Sequence, residues 1–71
     1  MADILHEQLV SIERKSYHLA LLQNHRGRFA RLTEYGNGKR VAVVIPCAGL
    51  PEVERILSAM IQADADAEAI E

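Results

Sequence analysis

Two turn signals constrain this chain more than any other feature, because together they set a single strand register. Gly36-Asn37-Gly38 is the strongest hairpin signal present: a two-residue type I′ turn needs positive φ at both central positions, and Asn-Gly adopts that most readily. Upstream, Asn24-His25-Arg26-Gly27 reads as a second reversal, with Gly27 where a residue at positive φ is wanted. If residues 24–27 form a four-residue loop, Gln23 stands opposite Arg28, Leu21 opposite Ala30 and Leu19 opposite Leu32. If Asn37-Gly38 is a two-residue loop, Gly36 stands opposite Lys39, Leu32 opposite Val43 and Ala30 opposite Ile45. Both turns independently put Leu19, Leu21, Ala30, Leu32, Val43 and Ile45 on one face, and a one-residue slip in either would break the agreement. The opposite face holds His18, Ala20, Leu22 and Asn24, then Phe29, Arg31 and Thr33, then Arg40, Ala42 and Val44.

The flanking sequence completes an α+β reading. Leu9-Val10-Ser11-Ile12 alternates as a first strand, Glu13 to Ser16 are polar enough for a turn or kink, and Pro46 stops the fourth strand, while residues 1–7 carry no strong pattern. After Cys47-Ala48-Gly49 the period changes to about 3.6. Leu50, Val53, Leu57 and Met60 then form one stripe, with Ile56 and Ile61 at its edge, and Pro51, Glu52 and Glu54 suit a helix start. The expectation is a four-stranded antiparallel sheet followed by one helix (ββββα), the helix covering the core face of the sheet. Residues 1–7 are a lead, residues 8–61 the folded repeat, and residues 62–71, where alanine alternates with acids, either extend the helix or fray as an acidic tail.

A chain of 71 residues that folds alone buries only about 60% of the surface it exposes when unfolded. A single cysteine excludes an internal disulfide, and no Cys/His cluster suggests a structural metal, so the expected staple is a second copy. Val53, Ile56, Leu57 and Met60 are expected to be divided between the chain's own core and that homodimer interface. Neither a membrane-spanning run nor a signal-peptide pattern is visible, so a soluble intracellular protein is expected, cytoplasmic or in the nucleoid or nucleus. Cys47 has no His or acid at a motif spacing, and His6, His18 and His25 lack metal-ligand spacing. Nothing assembles a nucleophile, base and oxyanion site. No enzyme, cofactor, metal, membrane or small-molecule substrate is therefore expected.

The net charge of −2 conceals a strong asymmetry. Residues 1–13 carry −3 and residues 41–71 carry −5, whereas residues 14–40 carry +6 from Arg14, Lys15, Arg26, Arg28, Arg31, Lys39 and Arg40 against Glu34 alone. A basic side on an acidic chain is the local pattern that polyanion binding requires.

Ile12-Glu13-Arg14-Lys15, a strand, Asn24-His25-Arg26-Gly27-Arg28-Phe29, a strand ending Thr33-Glu34, a Gly-rich turn, Val43-Val44-Ile45-Pro46 and a Gly-Leu-led helix follow in order. This run, over about residues 8–61, resembles the PUR repeat of the Pur-alpha family, and its Asn-x-Arg-Gly-Arg-Phe segment is fairly specific to that family. The resemblance implies two ββββα repeats intertwined into one PUR domain, here a homodimer because this chain carries one repeat. It also implies binding of single-stranded DNA or RNA, often purine-rich, and a role in transcription regulation. By position, it carries Glu13, Arg14 and Lys15 over as polar contacts, Asn24 as the asparagine before the turn, and Phe29 as the aromatic that wedges between bases. Two positions depart from the family pattern: Leu22 stands where a basic residue is common, and Glu13 is an acid.

The expected nucleic-acid-binding set is Arg14, Lys15, Asn24, Arg26, Arg28, Phe29, Arg31 and Arg40. Phe29 has a competing reading as a core or dimer contact, though strand parity and resemblance together favour stacking. Arg28 has core-face parity but sits beside the turn, where a long side chain reaches outward. Asn24 serves as turn-former, as ligand, or as both. The competing function is a protein-interaction module, using the acidic tail or an apolar patch of Leu22, Ala42 and Val44.

Overall fold

The Asn37-Gly38 turn takes the conformation its residues favour, as the computed structural model of residues 2–69 shows. Four strands, β1 (Asp3–Ile12), β2 (Lys15–Asn24), β3 (Gly27–Gly36) and β4 (Lys39–Pro46), form an antiparallel meander in sequence order. A short 3-10 turn at Cys47–Gly49 leads into one helix, α1 (Leu50–Ala69). Asn37 and Gly38 have φ of 53° and 72°, the type I′ geometry that Asn-Gly favours. The β2–β3 reversal is tighter than a four-residue loop, because Asn24 pairs with Gly27 across a tip of His25 and Arg26. Adding one pair at a hairpin tip does not shift the ladder. Leu19 therefore still faces Leu32, Leu21 faces Ala30, Leu32 faces Val43 and Ala30 faces Ile45, as the two turns require.

β1 begins six positions before the alternation at Leu9 becomes visible in the sequence. The register shifts between Ile4 and His6, leaving Leu5 as the extra residue of a β-bulge. A bulge breaks the period of two, and every residue of this edge strand is exposed, so neither face imposes a clean apolar alternation. At the other end of the chain, alternating alanines and acids continue the helix to Ala69, with Gln62 Nε2 donating to Asp66 Oδ1 at 3.0 Å one turn on.

The main departure from expectation is the position of α1. It stands off the sheet instead of covering it, leaving a cleft of about 820 Å³ between Leu19, Leu21, Ala30, Leu32 and Ile45 on one side and Leu50, Val53, Leu57 and Ile61 on the other. Leu57 remains 53% exposed and Ile61 71%. Ile56 and Met60, the remaining residues of a broad apolar arc, are exposed and do not line the cleft. Among the described residues the buried set consists of Ala20, Leu22, Ala30 and Thr33, with no large side chain fully enclosed. The radius of gyration is 14.9 Å, against about 11 Å for a globule of this length. The accessible surface is 6172 Å², whereas a globular monomer of 7.9 kDa exposes roughly 4400 Å². A single copy thus has a complete sheet but hardly any core.

Candidate nucleic-acid interface

β3 builds the site by alternation. Phe29, Arg31, Thr33 and Tyr35 share one face, flanked by Leu22, Ala20 and His18 of β2 and by Pro46, Val44, Ala42 and Arg40 of β4. Leu22 and Ala20 are buried as the cross-strand neighbours of Phe29 and Arg31, which are themselves half-buried. Burial of Leu22 removes it from the apolar patch with Ala42 and Val44, one of the two contacts expected of an interaction module. Along the same face, Arg31, Thr33, Tyr35, Arg40 and Ala42 line a hollow of about 220 Å³. The β1 side is different in charge, since Glu7 lies there with its Oε2 3.5 Å from His18 Nε2. Cationic groups on this face therefore gather toward β3 and β4.

At the β2–β3 turn, the Asn24 side-chain oxygen accepts a 2.8 Å hydrogen bond from the Arg26 backbone N–H. This is the Asx turn that makes asparagine a turn-former, and it displays Arg26 at the exposed tip. Gly27 follows at φ 135°, where a side chain would be strained although nothing lies within 4 Å of its added Cβ. Arg28 is exposed and points to the face opposite Phe29, opposite Gln23 in the ladder.

The β1–β2 turn is Glu13-Arg14, and Glu13 adopts a left-handed φ of 56°, uncommon for a residue with a long side chain. Lys15 projects from the apolar face, where its Nζ lies 3.2 Å from Glu34 Oε2, the same oxygen that accepts a 3.3 Å hydrogen bond from the Tyr17 hydroxyl. Arg14 is exposed and has no acidic partner within 4 Å among the described residues.

The meander therefore distributes the expected site residues rather than gathering them. Arg14, Lys15 and Arg40 lie at the end that holds the β1–β2 and β3–β4 turns, while Asn24, Arg26, Arg28 and Phe29 lie at the other. The ten residues of β2 put about 30 Å between the two ends, with Arg31 in between. Sequence reading missed Tyr35, although continuing the period of two from Phe29 places it on the same face. Among the described residues, no group of three His, Cys, Asp or Glu is placed to hold a metal ion, and no helix is long and apolar enough to cross a membrane.

Among curated proteins, none matches the chain. The family model described as PurA ssDNA and RNA-binding protein matches residues 2–70, from before β1 to beyond the described part of α1. With that match spanning the whole ββββα unit, the chain belongs to the PurA family of single-stranded DNA- and RNA-binding proteins.

Proposed function

We propose that this chain binds single-stranded nucleic acid through the β3 face, with the Phe29 ring stacking on a base and Arg26, Arg31 and Arg40 tracking phosphates. The observation that carries the reading is the placement of a half-buried aromatic two residues from a half-buried arginine on one open sheet face. Stacking contributes about 1–3 kcal/mol per base and tolerates many sequences, so a purine preference would come from the larger ring. Arg14, Lys15, Asn24 and Arg28 supply further contacts at the two ends of the sheet, Lys15 less freely because Glu34 already holds it. The fold acts as a binding platform rather than an enzyme.

The working unit is a homodimer. Each copy exposes roughly 1800 Å² more than a globule of its mass, which matches the share per partner in an obligate interface. A second copy covers the apolar sheet face and the α1 stripe, with Val53, Ile56, Leu57 and Met60 in the interface. Labelled purine-rich and pyrimidine-rich oligonucleotides, titrated at two salt concentrations, test the binding. Affinity should fall as salt rises because condensed counterions are released, and absence of binding at low salt would refute the reading. Light scattering tests the pairing, and a folded species at 7.9 kDa would refute it.

A further inference from the structure

The hollow between Arg31 and Arg40 has features that a general basic face does not need. It is lined by Thr33, only 5% exposed, by one arginine from each of two adjacent strands, and by Tyr35 and Ala42. Arg40 stands directly opposite Tyr35 in the ladder, and Arg31 lies four residues along β3 on the same face. Lys15 and Arg55 each have a carboxylate within 4 Å, whereas neither Arg31 nor Arg40 has one among the described residues. With no carboxylate beside either one, an anion that enters the hollow they line is attracted by both. At about 220 Å³ the hollow is smaller than the roughly 300–1,000 Å³ of sites that enclose a whole small ligand. Its size suits one anionic group of a larger molecule.

We propose that this hollow holds a single phosphate of the bound strand between the Arg31 and Arg40 guanidinium groups, with the Tyr35 ring carrying the neighbouring base. The inference rests on the single-strand-binding reading above and adds a second contact point to it. Arginine suits the role because its planar fork presents paired donors to phosphate oxygens. Tyr35 lies six residues from Phe29 on the same face of β3, about 20 Å away. The two aromatic rings thus bracket the phosphate clamp, and the bound strand runs along β3 rather than across the sheet. Glu7 on the β1 side disfavours the crossing path.

The test is a salt titration of a labelled single-stranded oligonucleotide against the unaltered protein and an Arg31→Gln/Arg40→Gln double variant, with folding checked by circular dichroism. One shared phosphate predicts a slope of log K against log salt that is shallower by about 0.7 in the double variant. Two independent phosphates would make it shallower by about 1.4, and an unchanged slope would mean none is held; either result overturns the shared clamp. An Arg31→Lys/Arg40→Lys variant keeps both charges and should retain the slope while losing affinity with the fork geometry, and full affinity would also count against the clamp. Tyr35→Leu should lower affinity about tenfold at constant slope; undiminished affinity removes the base platform. Failure of the unaltered protein to bind any single strand overturns the binding reading and the clamp together. Binding by the unaltered protein with an unchanged slope in the double variant overturns the clamp alone.

Discussion

The two faces of β3 belong to the same ten residues and have opposite requirements. Ala30 and Leu32 look across an open cleft toward an apolar helix stripe that does not reach them, so that side is unfinished in a single copy. Phe29, Arg31, Thr33 and Tyr35 carry rings, charges and a small hollow, and on the proposed binding that side has to stay open. The contrast teaches that exposure alone says little. Exposed Leu57 lowers stability until it is covered, whereas an exposed Arg40 costs nothing and remains available.

The largest expected effect breaks the apolar side. Ile56→Asp on an isolated chain would be an ordinary surface change within about 0.5 kcal/mol, because Ile56 is 47% exposed there. In the proposed pair it leaves an uncompensated charge in an apolar contact and costs roughly 3–5 kcal/mol, enough to dissociate or unfold the protein. Denaturant titration with light scattering separates the two outcomes. On the other face, Phe29→Ala should weaken oligonucleotide binding by about 1–3 kcal/mol while the scattering mass stays unchanged. A change in mass instead would transfer Phe29 to the packing side of the comparison.

Smaller effects sharpen the boundary between the faces. Gly38→Ala meets no atom within 4 Å, so its cost is purely that of a left-handed φ of 72°, about 1–2 kcal/mol in thermal unfolding. Binding per folded molecule should not change. Lys15→Gln removes an exposed ion pair worth about 0.5 kcal/mol and should shift the salt slope by less than about 0.7, since the side chain projects from the apolar face toward Glu34. A full shift of that size would place Lys15 against the bound strand.

The sheet was legible in the sequence because turn chemistry and side-chain alternation are local and agreed with each other at Leu32 and Ala30. The parity of Phe29 and Arg31 followed from the same argument. Two features were hidden for physical reasons. The bulge at Leu5 interrupts the alternation that would have revealed the start of β1. The stand-off of α1 cannot be read from its own periodicity, since an amphipathic stripe states that it needs cover and not whose surface supplies it. At the site, residue types suggested one basic patch, but the 30 Å length scale set by about ten residues of extended strand divides it between two ends. Lys15 stands in the expected binding set, and Glu34, 19 positions away, becomes its neighbour only through the ladder.

The meander also has a consequence in time. Every strand pairs with its immediate neighbour in the chain, so the sheet closes through short loops, each hairpin on a scale of about 1–10 μs. The apolar side has no such local route to completion, and on the proposed pairing it must wait for a collision between two chains. Refolding should therefore show a fast phase independent of protein concentration and a slower one whose rate rises with it. Wherever the chain is dilute, the second phase would determine when a newly made chain becomes competent.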